Sequence, residues 1–327
     1  MKAAWYERNG SASDVLRFGE RPTPEPGHGE VRVRLAYSAV NPSDVKSRAG
    51  SRPVRDPFII PHSDGAGVID KTGSGVDPTL IGQRVWTWNA QYGRACGTAA
   101  QYVTLPQKQT VTLPQAASLQ QGACLGIPAL TAYYAVELAN LGEGQTVLII
   151  GGASAVGFYA AQMARAKGAR VICTVGSEAR ADVLRHAGFE NIVMYKRESV
   201  AQAVLDMTEG KGVQAIIDMD FSTSAGLIEQ GVLGSHGTFV CFGSNERGNT
   251  PVHFWTCLSR SLTLKFFLVY ELSDDDRNRA IAGVNQLLDQ RALVHQIGPC
   301  YPLDQIVQAH QAVESGQTLG KVLVDCT

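Results

Sequence analysis

Thr146-Val147-Leu148-Ile149-Ile150-Gly151-Gly152-Ala153-Ser154-Ala155-Val156-Gly157 decides the fold of this 327-residue chain. An apolar β-type run leads into a glycine turn. The Ala-rich pattern from Ala155 to Lys167 then predicts a helix that Gly168 can end, and Arg170 to Val175 reads as a second apolar strand. Strand, glycine turn, helix and strand within about thirty residues is the context a dinucleotide-binding fingerprint requires. Small residues let the backbone approach a pyrophosphate, and the first helical turn aims unpaired N–H groups and a positive dipole end at it. Gly152 and Gly157 fit the first and third glycine positions; Ser154 takes the second, small enough for close approach and carrying a hydroxyl donor. The competing reading is a glycine-rich βα turn without a ligand.

Downstream the alternation continues. Ser177 can cap a helix running to Gly188, Asn191 to Met194 is a strand, and Ser199 caps the next helix. Val213 to Asp218 and Thr238 to Gly243 are further buried strands. Such regular alternation implies a parallel sheet with helices on both faces. Upstream, residues 1 to about 120 are β-rich. Glu30 to Tyr37 alternates apolar and polar residues, and Gly65–Ile69 and Gly82–Trp86 read as strands entered from tight turns. Pro114 to Gly142 reads as helical. The tail offers a charged helix start at Ser273–Asp276, a helix near Leu303–Ser315, and a closing strand Lys321–Val324 that fits best by returning to the N-terminal β domain.

A chain of 327 residues suggests two domains. With 44% hydrophobic and 18% charged residues the composition is that of an ordinary globular protein. A net charge of −1 gives no electrostatic reason to expect nucleic acid or an acidic membrane as partner. The uncharged stretch Gly144 to Ala164 is interrupted by glycines, and the βαβ reading explains it better than a membrane span. Seven cysteines, with no C-x-x-C pair, point to a reducing compartment, no disulfide framework and no structural zinc. Met1 to Tyr6 runs straight into a strand-like pattern instead of a leader peptide, so a cytoplasmic location is expected.

Several short motifs, in order along the whole length, resemble the zinc-independent branch of the medium-chain dehydrogenase/reductase superfamily, in particular its quinone oxidoreductase (zeta-crystallin-like) group. They are Asn41-Pro42-Ser43-Asp44, Asp64-Gly65-Ala66-Gly67-Val68, Gly82-Gln83-Arg84-Val85, Thr131-Ala132-Tyr133, the 151–157 turn and Leu319-Gly320-Lys321-Val322-Leu323. The resemblance implies an α/β protein: a GroES-like β-rich catalytic domain in two pieces, residues 1–122 and 271–327, around a Rossmann domain of doubly wound parallel sheet, residues 123–270. An active-site cleft is implied where they meet. Metal-dependent relatives carry a Cys where this chain has Asn41 and a His where it has Ser63; Cys124 falls where a third ligand would lie. One thiolate with a neighbouring Asp cannot close a zinc site, so no metal is expected, and His62 reads as a loop or core histidine.

NAD-specific Rossmann domains place an acidic residue at the end of the second strand. Here that place is Val175 or Gly176, neither of which binds a ribose hydroxyl or repels a phosphate. The resemblance implies 2′-phosphate contacts at Ser177, Arg180 and Tyr195, a set suited to phosphate, and so implies NADPH. It also implies cofactor contacts at Gly152, Ser154, Ala155, Val156, Gly157, Gly243, Ser244, Phe267 and Lys321. Glu178 is the one dissenting charge. For hydride transfer to a quinone or conjugated carbonyl, Asn41, Asp44 and Lys46 lie on the loop that the family points at the nicotinamide, with Thr131 on the cleft floor. Lys46 has two open readings, stabilising an enolate or quinol anion or leaving the pocket for solvent. Asn41-Pro42 has a plain turn as its alternative.

The apolar, β-rich segment Leu262–Val269 is expected to pair two subunits as a homodimer through the edge of the Rossmann sheet. Three functions compete: an NADPH-dependent quinone oxidoreductase, an enoyl or 2-alkenal reductase, and a non-catalytic NADPH-binding crystallin or RNA-binding protein. The absence of a basic stripe disfavours RNA.

Overall fold

A computed structural model describes residues 1–327. The chain divides into two compact units, Met1–Ile127 with Asn285–Thr327, and Pro128–Val284. The second crossing lies beyond the sequence-based 270/271, inside a helix, Asp274–Asp289. The acidic run at 274–276 opens this 16-residue helix, whose two ends serve different units. Arg277 near its start donates to the carbonyl of Val269 at 2.6 Å, whereas Asn285 near its end accepts from the Trp86 indole at 3.2 Å.

The first unit opens with strands β1 (Lys2–Trp5), β2 (Arg17–Glu20), β3 (Glu30–Ala39), β4 (Asp64–Thr72), β5 (Arg84–Thr87), β6 (Tyr102–Pro106) and β7 (Thr110–Thr112). The second unit holds β8 (Thr146–Ile149), β9 (Arg170–Val175), β10 (Ile192–Met194), β11 (Val213–Asp218), β12 (Leu233–Cys241) and β13 (Thr263–Phe266). The first unit then resumes with β14 (Ile297–Pro302) and β15 (Lys321–Asp325). Its main sheet runs β14-β15-β3-β4-β5-β7, with β6 on β3, and β1 pairs β2 separately. The alternation read in 30–37 is the pleat of β3: Val31, Val33 and Leu35 are buried in the core of the unit, while Arg32 turns out to an ion pair with Asp70. The closing strand returns as expected, β15 lying antiparallel to β3 with Leu323 opposite Ala39.

The second unit is a six-stranded parallel sheet in the order β10-β9-β8-β11-β12-β13. Counted from its own first strand this is 3-2-1-4-5-6, the doubly wound dinucleotide-binding order. All four residues of β8 are buried, which is why its sequence is apolar without alternation. Strand β12 begins at Leu233, earlier than the expected Thr238. Ser235-His236-Gly237 has the composition of a turn, yet the chain bulges there and resumes pairing: Leu233 faces Val213 and Thr238 faces Ala215, with His236 at φ +59°. The helical stretch expected over 114–142 is two helices, Leu119–Ala123, started by a Ser118–Gln121 capping box, and Gly126–Ala139. No helix is long and apolar enough to cross a membrane.

Candidate functional site

The residues singled out in the second unit gather along one edge. The 151–157 turn follows β8, Ser177 and Arg180 follow β9, Tyr195 follows β10, Gly243 and Ser244 follow β12, and Phe267 follows β13. All lie just past the carboxyl ends of parallel strands, where open α/β sheets bind ligands. At the turn, Ser154 caps the helix Ala155–Ala166 by accepting from the Gly157 N–H at 3.1 Å. The backbone N–H groups of Ala155 and Val156 have no partner within the protein. Helix start, small residues and unspent donors together form an anion cradle. Gly157 is there for space: a Cβ on it would stand 2.3 Å from the Gly151 carbonyl oxygen. These residues fit a dinucleotide pyrophosphate.

At the end of β9, the half-exposed Tyr195 lies over Gly176, where a Cβ would come within 2.4 Å of its hydroxyl. Any side chain at 176 would push this half-exposed phenol aside, and the glycine there carries no acid to mark NAD. The dissenting Glu178 is neutralised: its two oxygens take Arg185 at 2.7 Å and Arg197 at 3.1 Å. On the far side, Asp220 accepts from the Asn245 backbone at 2.8 Å and, at 3.5 Å, from Ser244, fixing the loop after Gly243. Asp218 beneath it is buried, with one carboxyl oxygen unpartnered, and burial pushes it up to about 6. Sequence reading passed over both aspartates, although an Asp-x-Asp closing a buried strand was visible. The Phe267 ring packs edge-on against Tyr134 at 5.0 Å. Thr131 is buried in the Gly126–Ala139 helix.

The first unit holds a second polar cluster. Asn41 begins a short helix, Pro42–Lys46. Its Nδ2 donates to Asp64 at 2.8 Å, its Oδ1 accepts from the Lys321 ammonium, and its backbone N–H donates to Asp44 at 2.7 Å. Asp64 also accepts the Ile127 N–H at 2.8 Å and faces Lys321 at 3.4 Å. All four side chains are buried. Burial pushes Asp44 up to about 7, with the neighbouring Asp64 charge adding to it. Asp64 is also raised by burial, opposed most strongly by Lys321. Asp44 thus holds a proton that it can release near neutrality. Lys321, expected among the cofactor contacts, is the counter-ion of this cluster, because the β15–β3 pairing brings it beside Asn41. Lys46, one residue past Val45, is exposed.

No group of three or more His, Cys, Asp and Glu residues converges as a metal-binding set. The Cys124 thiol donates to the Gln120 carbonyl at 3.3 Å and is pushed up to about 12 by burial, so it is a protonated thiol beside a lysine. His62 is a core histidine: fully buried, stacked on His310 at 5.1 Å and bonded to Ser38 at 2.8 Å. Burial holds His62 well below its usual range and His310 at about 3, so the pair is neutral.

The family models described as "Alcohol dehydrogenase GroES-like domain" and "Zinc-binding dehydrogenase" match residues 27–115 and 155–286. The chain belongs to the medium-chain dehydrogenase/reductase superfamily. It is 26% identical over 332 residues to the quinone oxidoreductase of Sus scrofa, covering 96% of this chain and 97% of that one. A mycobacterial protein solved in complex with NADPH superposes with a TM-score of 0.87 at 27% identity, covering 99% of this chain and 100% of that one. A structure described as an NAD-dependent alcohol dehydrogenase superposes with 0.88, also at 27% identity, covering 99% of each chain.

Proposed function

We propose that this chain is an NADPH-dependent oxidoreductase that reduces quinones or related conjugated carbonyl compounds without zinc. The observation that carries the reading is the end of β9. Tyr195 closes over Gly176, Glu178 is spent on two arginines, and Ser177 and Arg180 stand in the same turn, so the coenzyme's ribose meets phosphate-binding chemistry. The NADPH-bound mycobacterial relative and the relatives named quinone oxidoreductase support the same choice. NADPH, when bound, supplies a hydride. The protein's own part is to hold the pyrophosphate at Gly152–Gly157, to exclude water, and to keep a proton on Asp44 for the reduced product's oxygen.

Zinc-free working is supported by the cluster's charge. The Lys321 ammonium already neutralises Asp64, and a metal ion beside it would meet a like charge. Arg180→Ala is expected to weaken NADPH about 10- to 100-fold, as loss of a charge-assisted contact does, and NADH less than 2-fold. Equal losses measured by fluorescence titration would remove the 2′-phosphate assignment. A turnover panel of 1,4-benzoquinone, 9,10-phenanthrenequinone and an enone settles the acceptor. Activity confined to the enone makes the protein a double-bond reductase.

We also propose a homodimer through the free edge of the parallel sheet. Strand β13 is shorter than the expected Leu262–Val269 segment, but Phe266 at its end is 59% exposed, and Phe254 and Trp255 in the neighbouring Phe254–Ser259 helix are 72% and 65% exposed. Apolar exposure beside the free edge of a strand paired on its other side alone suits a second copy of the same edge. Sedimentation is expected to give a dimer, and Phe254→Ser with Trp255→Ser a monomer; a monomeric parent protein overturns it.

A further inference from the structure

The Pro42–Lys46 helix runs on through a further helical turn, Ser47–Ser51, into a loop that forms one wall of a cavity of about 450 Å³ within the first unit. The facing wall is the segment Gln91–Arg94. Three arginines line it, Arg52, Arg55 and Arg94, against one carboxylate, Asp56. Arg94 is engaged, donating to the Thr104 carbonyl at 2.6 Å and standing 3.5 Å from Glu30. Arg52 lies over the Tyr92 ring at 4.8 Å, a stacking that holds its charge at the cavity wall. Arg55 is exposed and has no ion-pair partner.

Tyr6 is the second observation. It lines the same cavity and is only 4% exposed, yet its hydroxyl makes no hydrogen bond in the protein. Burial and the nearby Asp44 push it up to about 12, so it stays a neutral donor. The phenol oxygen is not sealed from solvent; its O–H opens into the cavity, where the guanidinium groups offer no acceptor. The walls are also set in advance. Asn9 Nδ2 donates to the carbonyls of Ser47 at 2.9 Å, Arg48 at 3.3 Å and Arg52 at 3.0 Å, and Gln91 donates to the Arg94 carbonyl at 2.9 Å. Preset walls reduce the ordering cost of binding.

We infer that this cavity takes an anionic group, a carboxylate, sulfonate or phosphate, carried by the acceptor that the enzyme reduces. Arg52 and Arg55 provide the charge and Tyr6 a neutral hydrogen bond. The inference rests on the oxidoreductase reading for the word acceptor; the anion site itself does not depend on it. Uncharged quinones then count as surrogates, and the preferred acceptor is an unsaturated or quinonoid carbonyl compound bearing an acid.

The test uses a matched pair, anthraquinone-2-sulfonate and 2-(hydroxymethyl)anthraquinone, on the full chain. Calorimetry without nucleotide is expected to show the sulfonate binding, at least 10-fold weaker in Arg52→Gln/Arg55→Gln and progressively weaker as salt rises. With NADPH, the ratio of kcat/KM values, sulfonate over alcohol, is expected to fall by the same factor in that variant. No sulfonate binding to the parent protein, an unchanged ratio, or binding that survives the double variant and disappears in Arg180→Ala overturns the inference. Arginine-dependent sulfonate binding with no turnover of any acceptor keeps the anion site and ends the oxidoreductase reading. Equal turnover of both compounds with no arginine dependence does the reverse.

Discussion

Lys321→Met is expected to cost about 3–5 kcal/mol of stability, the range for removing one partner of a buried ion pair. Lys321 and Asp64 are 5% and 0% exposed, so water screens almost none of the loss. The substitution orphans the Asp64 carboxylate and the Asn41 Oδ1 together. The penalty depends on pH. Without the ammonium, burial raises Asp64 further above its ordinary value of 3.8. A folded-state pKa above the unfolded one means that the folded protein holds the proton more tightly, so stability falls as pH rises through that window. Asp44, raised to about 7, already gives the parent protein a slope of the same sign between about 4 and 7. The variant is therefore expected to be least impaired at pH 5 and most at pH 8. Adding Asp64→Asn removes the orphaned charge and is expected to recover much of the loss. Urea unfolding of parent, single and double variants across pH 5–8 measures this; a single variant with the parent's pH slope contradicts it.

Gly157→Ala is expected to abolish useful dinucleotide affinity, by about 100-fold or more, equivalent to about 2.8 kcal/mol. The new methyl would lie 2.3 Å from the Gly151 carbonyl oxygen and 3.0 Å from the Gly152 Cα. These are backbone atoms, so the turn itself must open, and the N–H groups of Ala155 and Val156 lose their aim. The first unit contains none of these atoms, and its urea transition is expected to be unchanged. Calorimetric titration with NADPH reads the affinity. Binding within 3-fold of the parent would mean that the turn is not the pyrophosphate cradle.

The parallel sheet was legible because its signals are local. A buried strand reads as an unbroken apolar run, and the turn after β8 needs glycines within a few positions of each other. The Ser235–Gly237 bulge was not legible, since a turn and a bulge share a composition and differ only in what pairs afterwards. The polar cluster was half legible. Asn41 and Asp44 lie within one loop, but Lys321 reaches them across 280 residues through the pairing of β15 with β3. Tyr195 and Gly176 illustrate the same limit: parallel pairing of β10 with β9 sets the phenol over the glycine, and nothing in either local sequence announces it.

The three-way arrangement at Asn41, Asp64 and Lys321 has an evolutionary corollary. Both ends of the Asn41 amide are spoken for, so a thiol or a second acid at that position strands a buried partner at once. A path from this chain to a metal-using ancestor or descendant cannot run through the ligand positions one at a time. The lysine must leave before, or together with, the arrival of new donors, and every intermediate that keeps it carries a fixed cation at the door.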